Sequence, residues 1–210
     1  MNVLEHIAAT LGRTDEEPNV LLAQEIADTG DAAAVKDLLA LLSHEDTEVQ
    51  GDSIKVLCEI AALRPSLVEE HCEAFGTLLG SQNNRLVWGA MIALDAIAAS
   101  SPTRVHALLA AITHAANSGS VITRDHAVGI FIQLAARPEY ADECLPILLR
   151  ELGSCPTNQL PMYAEQALER VIDRVNKEPF EKLLVERRDE LQKDSRKERI
   201  DQVLKKLAAL

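Results

Sequence analysis

The chain has 210 residues, of which 47% are hydrophobic but only 3% aromatic, and its formal net charge is -12. Most of the apolar content is Ala, Leu, Ile and Val, and the strong helix propensity of Ala and Leu favours an all-α chain. Residues 1–50 hold eleven acids against two bases and residues 51–100 six against three, while the rest of the chain is balanced. A surface of that sign repels phosphate backbones, so nucleic acid is not the expected partner. A protein or peptide, basic in character, is, unless the acid excess serves solubility alone.

Apolar periodicity predicts twelve helices, at about 2–11, 18–28, 31–42, 46–62, 66–79, 83–99, 102–116, 120–136, 138–152, 157–175, 178–192 and 195–209. The segment Met1 to Leu11 has neither a basic start nor a long apolar run, so no signal peptide or transmembrane span is expected and the reading is a cytoplasmic protein. Pro65, Pro102 and Pro138 fall between helices, where proline blocks one helix and opens the next. Gly30, Asn83-Asn84 and Ser118-Gly119 mark turns.

From residue 31 the helices repeat in pairs, with a step of about 37 residues. Ser53, Ala90, Ala127 and Ala164 form a column of small residues on the second helix of each pair. Leu57, Leu94, Phe131 and Leu168 form a large apolar column, and Ile60, Ile97, Leu134 and Val171 another. The offsets of four and three place these columns on one helical face. The first helices align in the same way through Leu38, Phe75, Ile112 and Leu149.

The stretch Leu42-Ser43-His44-Glu45-Asp46-Thr47-Glu48-Val49, leading to Leu57, Ile60 and Ala61, resembles the HEAT-repeat family over about residues 31–175. The resemblance implies an α-α superhelix, a HEAT-like solenoid of about six helical hairpins used as a binding scaffold. Residues 1–30 would form an N-terminal capping hairpin and residues 176–210 a charged C-terminal one. Such repeats often place an Arg after the Val. Here that position holds Gln50, then Trp88 and Ile122, so the family's Asp–Arg ladder is absent or rewritten. The stripe Ile200, Val203, Leu204 and Leu207 either packs near Phe180, Leu183, Leu184 and Leu191 or docks a partner or a second copy.

Catalytic signals are weak. No two of the six histidines stand at the i, i+4 spacing of a helical metal site, so neither a metal nor another cofactor is expected. Deoxyhypusine hydroxylases, HEAT-like enzymes, hold iron through repeated His-Glu dipeptides, and this chain has only His44-Glu45, in a turn. Trp88 and Asp125 superficially resemble the aromatic and carboxylate pair of HEAT-like DNA glycosylases, but the acidic balance opposes DNA. Cys155, before Pro156 in a turn, is either an exposed reactive thiol or an inert one. There is no nucleophile elbow and no phosphate-binding glycine loop. A non-enzyme is expected, with an enzyme or metal protein on the same scaffold as the alternative.

The remaining signal lies in columns of the second helices whose chemistry changes from repeat to repeat: Gly51/Trp88/Asp125/Met162, Asp52/Gly89/His126/Tyr163, Lys55/Ile92/Gly129/Gln166 and Glu59/Ala96/Gln133/Arg170. Packed columns stay apolar, so mixed ones are expected to face solvent. The expected partner-binding residues are therefore Trp88, Ile92, His126, Gln133, Met162, Tyr163 and Gln166, on one groove surface, although Trp88 alternatively folds down into the core.

Overall fold

The computed structural model describes residues 2–171 and 177–209. Among them are twelve α-helices and no strand: α1 Glu17–Thr29, α2 Ala32–Leu41, α3 Thr47–Leu63, α4 Cys72–Leu78, α5 Asn84–Ile97, α6 Pro102–His106, α7 Leu109–Ser118, α8 Val121–Ala135, α9 Pro138–Ser154, α10 Leu160–Val171, α11 Lys177–Arg188 and α12 Asp194–Ala208. The expected end of the tenth helix, and the boundary placed at residue 176, lie outside the described residues.

Helix starts follow local chemistry. Asp31 accepts from the Ala33 and Ala34 N–H groups, Asp46 from Glu48 N–H and Asn83 from Arg85 N–H, each satisfying donors that a first turn leaves open. Pro18, Pro102 and Pro138 stand in first turns, where the missing N–H costs nothing. Gly30 ends α1 in the left-handed region at φ 71°, which Gly adopts without strain.

Three expected helices come out differently. Residues 2–11 form only a 3-10 turn at Val3–Glu5 followed by further turns. The N–H groups of Ala8 and Ala9 go instead to Asn19 Oδ1 at 3.0 Å and Asp52 Oδ2 at 2.7 Å, which anchors the segment where helical hydrogen bonds would otherwise form. The helix expected at 66–79 breaks into 3-10 turns at Pro65–Leu67 and Glu69–His71 before α4. The one expected at 102–116 is interrupted between α6 and α7.

The chain divides into two compact units, Met1–Ala127 and Val128–Leu210. In the first, α1 packs on α3 and α3 on α5, while α2 lies on α3 and α4 on α5. The small column at Ser53 and Ala90 is fully buried there, as are Leu57, Leu94, Ile60, Ile97, Leu38, Phe75 and Ile112. In the second, α9 packs on α10 and α11, and α12 on α10 and α11. Phe131, Leu134, Ala164, Leu168 and Val171 are buried there as the columns require. The first-helix column shifts by one residue in α9, where Leu148 is buried and Leu149 only half-buried.

Ile200, Val203 and Leu207 of α12 are buried, as are Phe180, Leu184 and Leu191, so this apolar stripe is consumed within the second unit. Cys155 is also buried, at 1% exposure, which of its two readings favours the inert thiol over the exposed one. The buried Arg187 covers it, donating from Nη1 to Leu152 O at 2.7 Å and to Cys155 Sγ at 3.4 Å.

Candidate functional site

In the first unit a cleft of about 280 Å³ opens along the facing sides of α3 and α5. Its depth comes from two glycines. A Cβ on Gly89 would stand 2.3 Å from Ile54 Cγ1, and one on Gly51 2.6 Å from the Arg85 guanidinium carbon. Lacking side chains, both positions let α5 and Arg85 come close to α3. The Cys58 thiol donates to Gly89 O at 3.0 Å and ties the two helices at the floor. Burial pushes that thiol up to about 12, so it remains a neutral, unreactive group.

The floor is apolar, made by the buried Ile54 and Cys58, with Trp88 and Ile92 from α5 beside it and the exposed Ala62 at its edge. The rim is charged. Lys55 Nζ lies 2.9 Å from Glu16 Oε2 and 2.8 Å from Glu59 Oε1. Arg85 lies 2.9 Å from Glu48 Oε2 and 3.5 Å from Asp52 Oδ1. Burial alone would lower the Lys55 ammonium, but hydrogen bonds to Glu59 and Glu16 outweigh it and hold the group above its ordinary value. Glu16 and Glu59 line the cleft and share Lys55, while Glu48 and the buried Asp52, outside the lining, pair with Arg85; this surplus of acid around two cations favours an incoming cation over an anion.

The residues expected from the mixed columns divide. Trp88 and Ile92 are half-buried and line this cleft. His126 is half-buried on α8, with Nδ1 2.8 Å from Asp95 Oδ2. In the second unit Gln133 and Met162 are half-buried and Gln166 is exposed. Tyr163 is a correction: at 0% exposure it is a core side chain of α10, not a surface anchor. Three of the four positions in its column fail, because Asp52 and Gly89 are buried too, while His126 stays half-buried. These positions face neighbouring helices, and their residue types vary to fit what lies opposite rather than because they meet water. Asp52 finds its partners there by accepting Ala9 N–H and facing Arg85.

The columns passed over Glu16 and Arg85 as site residues. A signal for Arg85 existed, since its partner Glu48 stands 37 positions earlier, one repeat away. Glu16 carried none, because only the stacking of α1 on α3 brings it to Lys55. Among the described residues there is no group of three or more His, Cys, Asp or Glu side chains that could hold a metal ion, and no helix long and apolar enough to cross a membrane.

No sequence-family model matches the chain, and no curated protein matches it by sequence. Solved structures do match. A designed armadillo repeat protein in complex with the peptide (KR)4 is similar at TM-score 0.66 and 16% identity, over 88% of this chain and 84% of that one. Computationally designed armadillo repeat proteins for modular peptide recognition match at TM-score 0.66 and 17% identity, over 97% and 90%. The archaeal HEAT-like repeats protein from Thermococcus onnurineus NA1 matches at TM-score 0.52 and 14% identity, over 92% and 95%. The fold is that of the armadillo and HEAT-like helical repeats. At such identities the likeness extends to fold alone, and this armadillo/HEAT-like fold agrees with the resemblance carried by the Asp46–Val49 turn and its apolar ridge.

Proposed function

We propose that this chain is a non-enzymatic protein-interaction scaffold whose acidic first unit binds a basic peptide segment at the α3–α5 cleft. The observation that carries the reading is the apolar floor edged by Glu16 and Glu59, which share Lys55, with Glu48 and Asp52 paired to Arg85 next to it. A half-buried Trp beside such a floor is a typical interface anchor, offering large contact area at little entropic cost. The reading is supported by a neighbour of the same fold that holds the peptide (KR)4. His126 in the first unit, and Gln133, Met162 and Gln166 in the second, are proposed as further partner contacts, each being at least partly accessible.

Trp88 is the sole Trp of the chain, so its emission reports directly on the cleft. Titration with a (Lys-Arg)4 peptide is expected to change that emission saturably, and an octaglutamate peptide is expected to leave it unchanged. With a labelled (Lys-Arg)4 peptide read by anisotropy, Trp88→Ala should weaken binding at least about tenfold. Absence of binding by the intact chain, or equal affinity in the folded variant, would sink the assignment.

A further inference from the structure

We infer that Lys55 is a built-in competitor, holding between Glu16 and Glu59 the place that an arginine side chain of the bound segment takes over. This inference rests on the scaffold reading above and deepens it. The cleft has two parts that one amphipathic side chain would satisfy together: an apolar floor at Ile54 and Cys58, and carboxylates at its edge. Lys55 brings its own ammonium to those carboxylates from the α3 backbone, at 2.9 and 2.8 Å. An ammonium is a point charge on a flexible stem, whereas a guanidinium presents a planar fork that bridges two carboxylates and stacks on an aromatic face. Trp88 lines the same cleft and supplies that face.

Glu16 is available for the exchange. It stands at the N-cap position of α1, yet its side chain makes no capping hydrogen bond, so the helix does not depend on its carboxylate. Lys55 is only partly covered, with a side-chain exposure of 28%, so the path to solvent is open. The exchange gives up the Lys55–Glu16 ion pair and leaves Arg85 with Glu48 and Asp52.

The test measures labelled (Lys-Arg)4 affinity for the full chain and four variants: Lys55→Met, Lys55→Arg, Glu16→Gln and Glu59→Gln, each checked for intact helicity by circular dichroism. Removing the competitor in Lys55→Met should tighten binding about tenfold, Lys55→Arg should bind no tighter than the natural chain, and each carboxylate removal should weaken binding several-fold. A folded Lys55→Met with unchanged or weaker affinity overturns the inference. So does an unchanged Glu16→Gln, whose exposed position makes it independent of how Lys55→Met folds. Binding that depends on Trp88 but ignores Lys55 and Glu16 would overturn this inference alone. No binding by any form would overturn the scaffold reading with it.

Discussion

Arg64 donates from Nη1 to the main-chain carbonyl of Ala27 at 2.9 Å, across 37 positions. A side chain at the end of α3 thereby satisfies a carbonyl in the last turn of α1, where no intrahelical donor remains. The same guanidinium lies against Gly30, whose absent Cβ would stand 3.0 Å from Nη1.

That relationship makes Arg64 a stabilising link between successive second helices. Arg64→Ala should lower stability by about 1 kcal/mol, at the low end for a charged hydrogen bond because the residue is exposed. Gly30→Ala should cost about as much again through its positive φ. Urea unfolding measures both, and no change in midpoint for Arg64→Ala would count against the link.

Gly89→Ala forces a methyl into Ile54 and, at 3.2 Å, into Cys58 Sγ. Overpacking of this kind should cost roughly 1–3 kcal/mol as α3 and α5 part. The two sites touch, so the cost should be smaller in an Ile54→Ala background. Equal costs in both backgrounds, in a double-mutant cycle of thermal melts, would refute the contact.

All four cysteines are buried thiols outside any disulfide, with Cys72 and Cys144 pushed up to about 11 and Cys58 to about 12, chiefly by burial. An aromatic disulfide reagent at neutral pH should therefore find no fast-reacting thiol until denaturant is added, and then four. The folded chain holds these protons more tightly than the unfolded one, whose thiols titrate near 9.0. Stability is thus complete below about pH 9 and falls as pH rises toward 12. Cys58→Ala should flatten that alkaline loss in pH-dependent unfolding, and an unaltered slope would exclude Cys58 as its source.

Glu165 on α10 accepts from Arg199 Nε at 2.7 Å and Nη2 at 2.6 Å. Those hydrogen bonds hold its carboxyl below the ordinary 4.5. The contribution is present above that value and is lost as pH falls through the depressed one. It is also modest and salt-sensitive, since both side chains are more than a third exposed. Glu165→Gln should move acid unfolding of the chain to higher relative stability at low pH than at neutral pH. Identical acid profiles at low ionic strength would show that the pair carries nothing.

Much of this protein is legible in its residues alone. The offsets of three and four in the Leu57, Leu94 and Phe131 columns determine one apolar face per helix, and Asp31, Asp46 and Asn83 determine where helices begin. These are local matters, decided within a turn or two of chain. What only the tertiary structure decided is what stands opposite each face. Asp52, Gly89 and Tyr163 share a column that looks polar and irregular, yet all three are buried, each sized and charged to its own neighbour. Ile7 and Ala8 are buried without a helix because Asn19 and Asp52, distant in sequence, take up main-chain N–H groups there. The cleft arises in the same way: Lys55 and Glu59 pair one turn apart on α3, but Glu16 joins them only because α1 stacks on α3. Periodicity specifies a side chain's direction on its own helix, whereas burial and charge pairing depend on the helix that packs against it.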